Sequence, residues 1–247
     1  LMAWYFLSAG LILGGQWAYE ELGWGGFWAW DPVENAALMP WLTGTAFLHS
    51  VMIQEKRNML RIWNVVLIIT TFGLTIIGTF LTRSGIINSV HSFTQSEIGP
   101  AFLVYLALVL IAGFALLFKR IQMLESEYKI ESVLCRENVF LAQNILLVGI
   151  AFTVLLGTTF PLLAEAVRGT KLSIQAPFFN TITAPMGYAL LILMGVGMLI
   201  SWRRSSLDNL RRNFLSPLII ATLGTLVLFW ILFEKTMQWG VYIIFWS

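Results

Sequence analysis

The chain has 247 residues, 58% of them hydrophobic and 11% charged, with a mean hydropathy of +0.79. Soluble domains average about 45–50% apolar and 25% charged residues, so this composition excludes a water-soluble globular fold and specifies an integral membrane protein in contact with membrane lipid. The formal net charge is only +2, and the basic residues sit in short linkers rather than in a continuous stripe, which excludes nucleic acid as a partner.

Apolar runs near 1–19, 36–53, 62–82, 100–118, 139–160, 185–202 and 214–233 each approach the length needed to cross a bilayer. The alternating polarity of a membrane barrel is absent. The predicted fold is therefore an all-α polytopic bundle of about seven transmembrane helices in one domain over 1–247. The chain starts at Leu1 within an apolar run and ends at Tyr242-Ile243-Ile244-Phe245-Trp246-Ser247 as if another span were beginning. It reads as a middle portion of something longer.

Charge in the linkers gives an orientation. Lys56, Arg57 and Arg61 follow the second run, Lys119, Arg120, Lys129 and Arg136 the fourth, and Arg203, Arg204, Arg211 and Arg212 the sixth, so eleven of the fifteen basic residues fall on one side. The positive-inside rule makes that side cytoplasmic. Outside, then, lie a tryptophan-rich segment over 20–35, a loop over 83–99 and another over 161–184. In the last of these, Pro161, Gly169, Pro177 and Pro185 argue against a spanning helix, and Phe178-Phe179 can pack on the tryptophan-rich segment or on a partner. The amphipathic 119–138 stretch is expected to carry the neighbouring helices into the cytoplasm. A single cysteine, Cys135, rules out a disulfide within this chain.

The densest feature is Trp24-Gly25-Gly26-Phe27-Trp28-Ala29-Trp30-Asp31-Pro32-Val33-Glu34-Asn35. Interfacial anchoring explains some of those tryptophans. A docking surface explains the density, and composition leaves both open. Asp31 and Glu34, three residues apart at a helix start, most simply cap that helix. There are two histidines. His49 follows the small residues Gly44, Thr45 and Ala46, and counting about 1.5 Å per residue from Ala36 puts it roughly 20 Å below the outer boundary. A polar group at that depth is costly and usually functional. Either it is a neutral imidazole bonded to a neighbouring helix, or it is an axial ligand to a haem in an apolar slot. His91 lies outside, either simply solvated as a loop histidine or an iron ligand on the side of Trp24, Trp28 and Trp30, which offer ring contacts, and Arg83, which offers a cation for propionates.

These residues resemble a known family. Trp24 through Ala36 is similar to the WWD signature of haem-handling proteins, in the form typical of CcmF-type haem lyase subunits of cytochrome c maturation and their NrfE paralogues. Gly78-Thr79-Phe80-Leu81-Thr82-Arg83-Ser84-Gly85, Ser89-Val90-His91-Ser92-Phe93 and Pro177-Phe178-Phe179-Asn180-Thr181 resemble further segments of that family in the same order. The resemblance implies that His49 ligates a stable buried haem b, and that His91 ligates a second, transient haem b resting on Trp24, Trp28, Trp30, Asp31 and Arg83. The second axial histidine of each haem is expected outside this chain.

The resemblance further implies delivery of haem by holo-CcmE and its attachment to apocytochrome c through thioethers. The buried haem is expected to relay electrons, with quinol as a donor, that keep the haem iron ferrous. Thiol chemistry is then left to CcmH and CcmG-like partners, and the place of work is a bacterial cytoplasmic (inner) membrane with the WWD segment facing the periplasm. Two other classes of function compete: a haem transporter, for which the spans lack a charged passage, and a structural subunit with an aromatic belt.

Overall fold

The computed structural model describes residues 1–23, 26–84, 98–126, 135–169, 172–202 and 207–246, with side chains in the last stretch from Asp208 through Phe233. These form seven α-helices: α1 (Met2–Glu21), α2 (Pro32–Arg57), α3 (Arg61–Arg83), α4 (Gly99–Arg120), α5 (Arg136–Arg168), α6 (Ala176–Leu199) and α7 (Leu207–Trp246). Six of them are long and apolar enough to cross a membrane. The exception is α1, whose glycines, Gln16 and tryptophans dilute its hydropathy.

The first helix to explain is α2, because it packs against α1, α3 and α5. Asp31 is its N-cap, accepting from the Val33 amide at 3.0 Å, while Glu34 reaches back to the Asp31 amide at 3.1 Å. This reciprocal capping box satisfies two of the amides a helix start leaves orphaned, and Pro32 costs nothing at a position without an intrahelical bond. The helix stops at Asn58, which takes the left-handed conformation (φ 54°), and its Oδ1 accepts from Arg61 Nε at 2.8 Å to begin α3. The α2–α3 and α2–α5 pairs are antiparallel, so the start of α2 meets the ends of α3 and α5: Gly78 lies against the Ala36 carbonyl, and Asn35 touches Thr158. A Cβ on Gly78 would come 3.2 Å from that carbonyl oxygen, which is why a glycine lets the two helices approach so closely. Buried Met39, Leu42, Leu67, Leu147, Ile150 and Val154 fill the space between α2, α3 and α5.

One end of the bundle collects the basic residues. Arg57 at the foot of α2 pairs with buried Glu137 at 2.9 Å, and Lys56 lies over the Trp202 ring at 4.6 Å. The tryptophan-rich segment is at the opposite end.

Three expectations change. The 161–184 stretch is mostly helix, because α5 runs through Pro161 to Arg168 and α6 starts at Ala176. Pro177 sits in the first turn of α6, where a proline is preorganised, and Pro161 and Pro185 are carried inside helices, as membrane spans tolerate. In the 119–138 connector, α4 ends at Arg120, a single 3-10 turn covers Ile121–Leu124, and α5 starts at Arg136, with 127–134 lying outside the described residues. The final helix is continuous from Leu207 to Trp246 rather than a span followed by a new start near 241, and among the described residues it touches only α6.

Candidate functional site

Two regions at different depths hold the residues singled out above. The first is the segment joining α1 to α2. Trp30 has a left-handed backbone (φ 61°), a conformation that costs a bulky residue free energy and persists only where contacts enforce it. Three contacts do so, one of them braced by a further bond. Its carbonyl accepts from Asn35 Nδ2 at 3.1 Å, and the same amide donates to Thr158 Oγ1 on α5 at 3.0 Å. Its indole Nε1 donates to Asn180 Oδ1 on α6 at 2.7 Å. Its ring stacks on Phe179, with centroids 4.9 Å apart and planes 11° from parallel.

Gly157 makes that stack possible. A Cβ there would fall 2.7 Å from Phe179 Cζ and closer still to Cε1. Phe179 is 2% exposed, so its ring cannot step aside into open space. The choice left open for Phe178-Phe179 is thereby resolved for Phe179, which packs on the tryptophan-rich segment. Trp28 meets Trp30 edge to face at 6.0 Å. Its indole nitrogen is buried without a hydrogen-bond partner, beside a cavity of about 180 Å³ shared with Gly10, Gly14 and Glu34. Phe27 stacks on Tyr19 of α1 at 4.5 Å. Glu34 accepts from the Ala29 amide at 3.0 Å as well as from Asp31, so both acids of the motif are engaged in holding the loop and capping α2.

Arg83 is the last residue of α3, exposed, at the end of the bundle where Phe80 and Leu81 pack on Ala36. Trp28, Trp30, Asp31 and Arg83 therefore share one end. Trp24 and His91 lie outside the described residues. Sequence reading offered Phe178-Phe179 as a contact of the tryptophan-rich segment but missed Asn35, Asn180 and Gly157 as residues that position Trp30. Asn35 alone carried a signal, as an amide one residue before a buried apolar run.

The second region is deeper. His49 is half-buried on α2, its ring stacked on Phe140 of α5 with centroids 5.5 Å apart and planes 13° from parallel. Its Nδ1 is buried without a hydrogen-bond partner. The imidazole borders a cavity of about 760 Å³ whose walls include Trp4, Trp41, Leu42, Leu147, Tyr188 and Leu191. A second cavity of about 460 Å³ shares His49 and Met194 with the first and brings in Arg136 and Gln143. Trp4 and Trp41 stack at 6.2 Å, and their indole nitrogens donate to Thr45 at 2.8 Å and Ser8 at 2.7 Å, which fixes α1 as one wall. Gly44 and Thr45 thus admit α1, while Ala46 is fully buried in the core.

The bundle and its two regions define a class, and comparison with known proteins agrees with it. A family model described as Cytochrome C assembly protein matches residues 1–87. The chain is 44% identical over 233 residues to the cytochrome c-type biogenesis protein ccl1 of Rhodobacter capsulatus, covering 94% of this chain and 35% of that protein. It is 43% identical over 229 residues to the cytochrome c-type biogenesis protein CcmF of Escherichia coli, covering 92% of this chain and 35% of that one. A solved structure titled Cytochrome c Heme Lyase CcmF superimposes with a TM-score of 0.70 at 41% identity, covering 91% of this chain and 33% of that chain. This is a multi-span membrane protein of the cytochrome c assembly class. The chain belongs to the CcmF family of cytochrome c-type biogenesis proteins, and it spans about a third of the length of the curated relatives it matches.

Proposed function

We propose that this chain supplies the haem-handling portion of a cytochrome c haem lyase. In this reading the aromatic end faces the periplasm and receives haem as substrate, with His91 as an iron ligand, Trp24, Trp28 and Trp30 as ring contacts, and Arg83 as a cation for a propionate. His49 ligates a resident haem b deeper in the bundle, whose contribution when bound is one-electron transfer that keeps the substrate iron ferrous. Haem delivery falls to holo-CcmE, thiol reduction to CcmH and CcmG-like partners, and electron supply to quinol.

The observation that carries the reading is His49: a membrane-depth imidazole with an unpartnered buried nitrogen, opening on a large apolar cavity. A neutral histidine kept for packing would be expected to bond a neighbouring helix, since an unsatisfied polar group there is costly. The volume lies within the roughly 300–1,000 Å³ of small-molecule sites, and the apolar walls suit a planar macrocycle. The donor set therefore fits a haem bound through one histidine of this chain.

At the outer end, this chain's residues would act by orientation. Trp30, fixed by Phe179 and Asn180, holds Trp28 beside it, and a rigid aromatic surface presents the substrate's vinyl groups to incoming thiols. Each attachment adds a thiol across a vinyl double bond, sulfur to one carbon and hydrogen to the other, with no net oxidation. Two ligands of a lyase working at two depths make separable predictions. In cells lacking their own copy of the full-length protein, His91→Ala should abolish maturation of a reporter cytochrome c while leaving the protein in the membrane. Normal maturation by that variant would overturn the outer-site assignment.

A further inference from the structure

The two cavities beside His49 differ in chemistry. The larger has no charged side chain in its lining among the described residues. The smaller is walled by Met52, Phe140, Gly197 and Met198 and adds Arg136 and Gln143. Arg136 opens α5 and closes α6: its Nε donates to the carbonyls of Gly197 (2.9 Å) and Ile200 (3.1 Å), and its Nη2 to that of Met198 (2.8 Å). These bonds fix the guanidinium in the cavity wall, with its carbon 5.2 Å from the Trp202 ring centroid. No hydrogen bond from Nη1 is seen among the described residues, and Arg136 contributes to the lining of the cavity. Two turns along α5, Gln143 is 2% exposed, lines the same cavity, and its Oε1 is buried without a partner.

A cation and an orphan acceptor in the lining of the smaller cavity, an apolar slot in the larger, and an imidazole shared by both describe a site for a ligand with a flat apolar body and a carboxyl edge. A carboxylate accepts from Arg136 in a strong charge-assisted bond. A carboxylic O–H, or a water held by the carboxylate, donates to Gln143 Oε1 and removes a buried unsatisfied group.

Resting on the reading of His49 as a haem ligand, we propose that Arg136 and Gln143 hold the carboxyl edge of the resident haem and set which way the macrocycle faces. Arg136 is then a binding residue rather than one more basic residue at the membrane boundary, and the haem's propionates point toward the basic end of the bundle, away from the tryptophan-rich end. An anionic lipid headgroup offers the guanidinium similar chemistry but no flat body for the larger cavity, and the test separates the two.

The full-length protein, prepared from haem-starved cells, is titrated with haem b and with haem b dimethyl ester, and binding is followed by Soret absorbance. The natural protein should prefer the free acid about tenfold, the worth of one charge-assisted hydrogen bond. Arg136→Leu should bind both forms equally, and Arg136→Lys should keep part of the preference. Gln143→Leu, which leaves the α6 carbonyl bonds untouched, should weaken the preference without loss of folding, and it carries the test if Arg136→Leu does not fold. Equal binding of acid and ester by the natural protein, or an unchanged preference in both Arg136 variants, overturns the proposal. So does a variant whose only change is in its dependence on anionic lipid. If His49→Ala binds haem as the natural protein does, the assignment of His49 itself fails instead.

Discussion

Replacing Asn35 by Ala tests whether the tryptophan-rich loop is held by the bundle or merely rests on it. Asn35 is 1% exposed, and its amide makes both bonds that tie Trp30 to α2 and α5. Thr158 keeps its own bond to the Val154 carbonyl at 2.7 Å, so it is not left as an unsatisfied donor. The Trp30 carbonyl, in contrast, loses its partner, at a cost of about 1–3 kcal/mol. The left-handed Trp30 backbone then has one restraint fewer and tends to relax toward φ below zero, tilting its ring off Phe179. The expected total is about 2–3 kcal/mol. A double-mutant cycle of Asn35→Ala with Thr158→Ala, by reversible SDS unfolding of the full-length protein in micelles, should return a coupling of about 1 kcal/mol. Reporter cytochrome c maturation should fall alongside. Unchanged stability together with unchanged maturation in Asn35→Ala would refute the positioning role given to this side chain.

Gly157→Ala should displace the Phe179 ring and cost about 1–3 kcal/mol by overpacking; Phe179→Leu in the same protein should recover part of the loss, which paired unfolding measurements would read. Asn180→Asp retains an acceptor for the Trp30 indole and should support more reporter maturation than Asn180→Leu, which removes it. Glu137→Gln removes the buried carboxylate that pairs with Arg57 and should destabilise by about 3–5 kcal/mol, the usual cost of breaking a buried ion pair; an equally stable variant would mean the pair is solvated. Burial, followed by the side-chain bond to Glu137, pushes the Cys135 thiol above its ordinary range. The folded protein therefore holds that proton more tightly than the unfolded chain. The stability this confers is present below the unfolded thiol's pKa and is lost as pH rises beyond it. Maleimide at neutral pH should accordingly label Cys135 slowly in the native protein and readily after denaturation.

The number of helices and the grouping of basic residues at one end were legible from the sequence, because hydropathy over about 20 residues and charge in short linkers are both local signals. The capping role of Asp31 and Glu34 was legible for the same reason. The extent of α5 and α6 was not: Pro161 and Pro185 read as breakers in isolation, and nothing local in the sequence shows that the helices run through them. Nor was the lock on Trp30. It needs an amide from α2, a ring and an amide from α6, and a glycine from α5, which nothing in the linear order brings together. Arg136 shows the same limit, since among four basic residues on one linker only the fold singles out the one that borders the His49 cavity.

The claim on which the rest depends is that the cavity beside His49 holds a resident haem, and the optical spectrum of the purified full-length protein tests it most directly. The natural protein should carry the Soret and alpha bands of haem b, and His49→Ala should lose them while Trp28→Ala and His91→Ala keep them. Unchanged bands in His49→Ala would contradict the assignment.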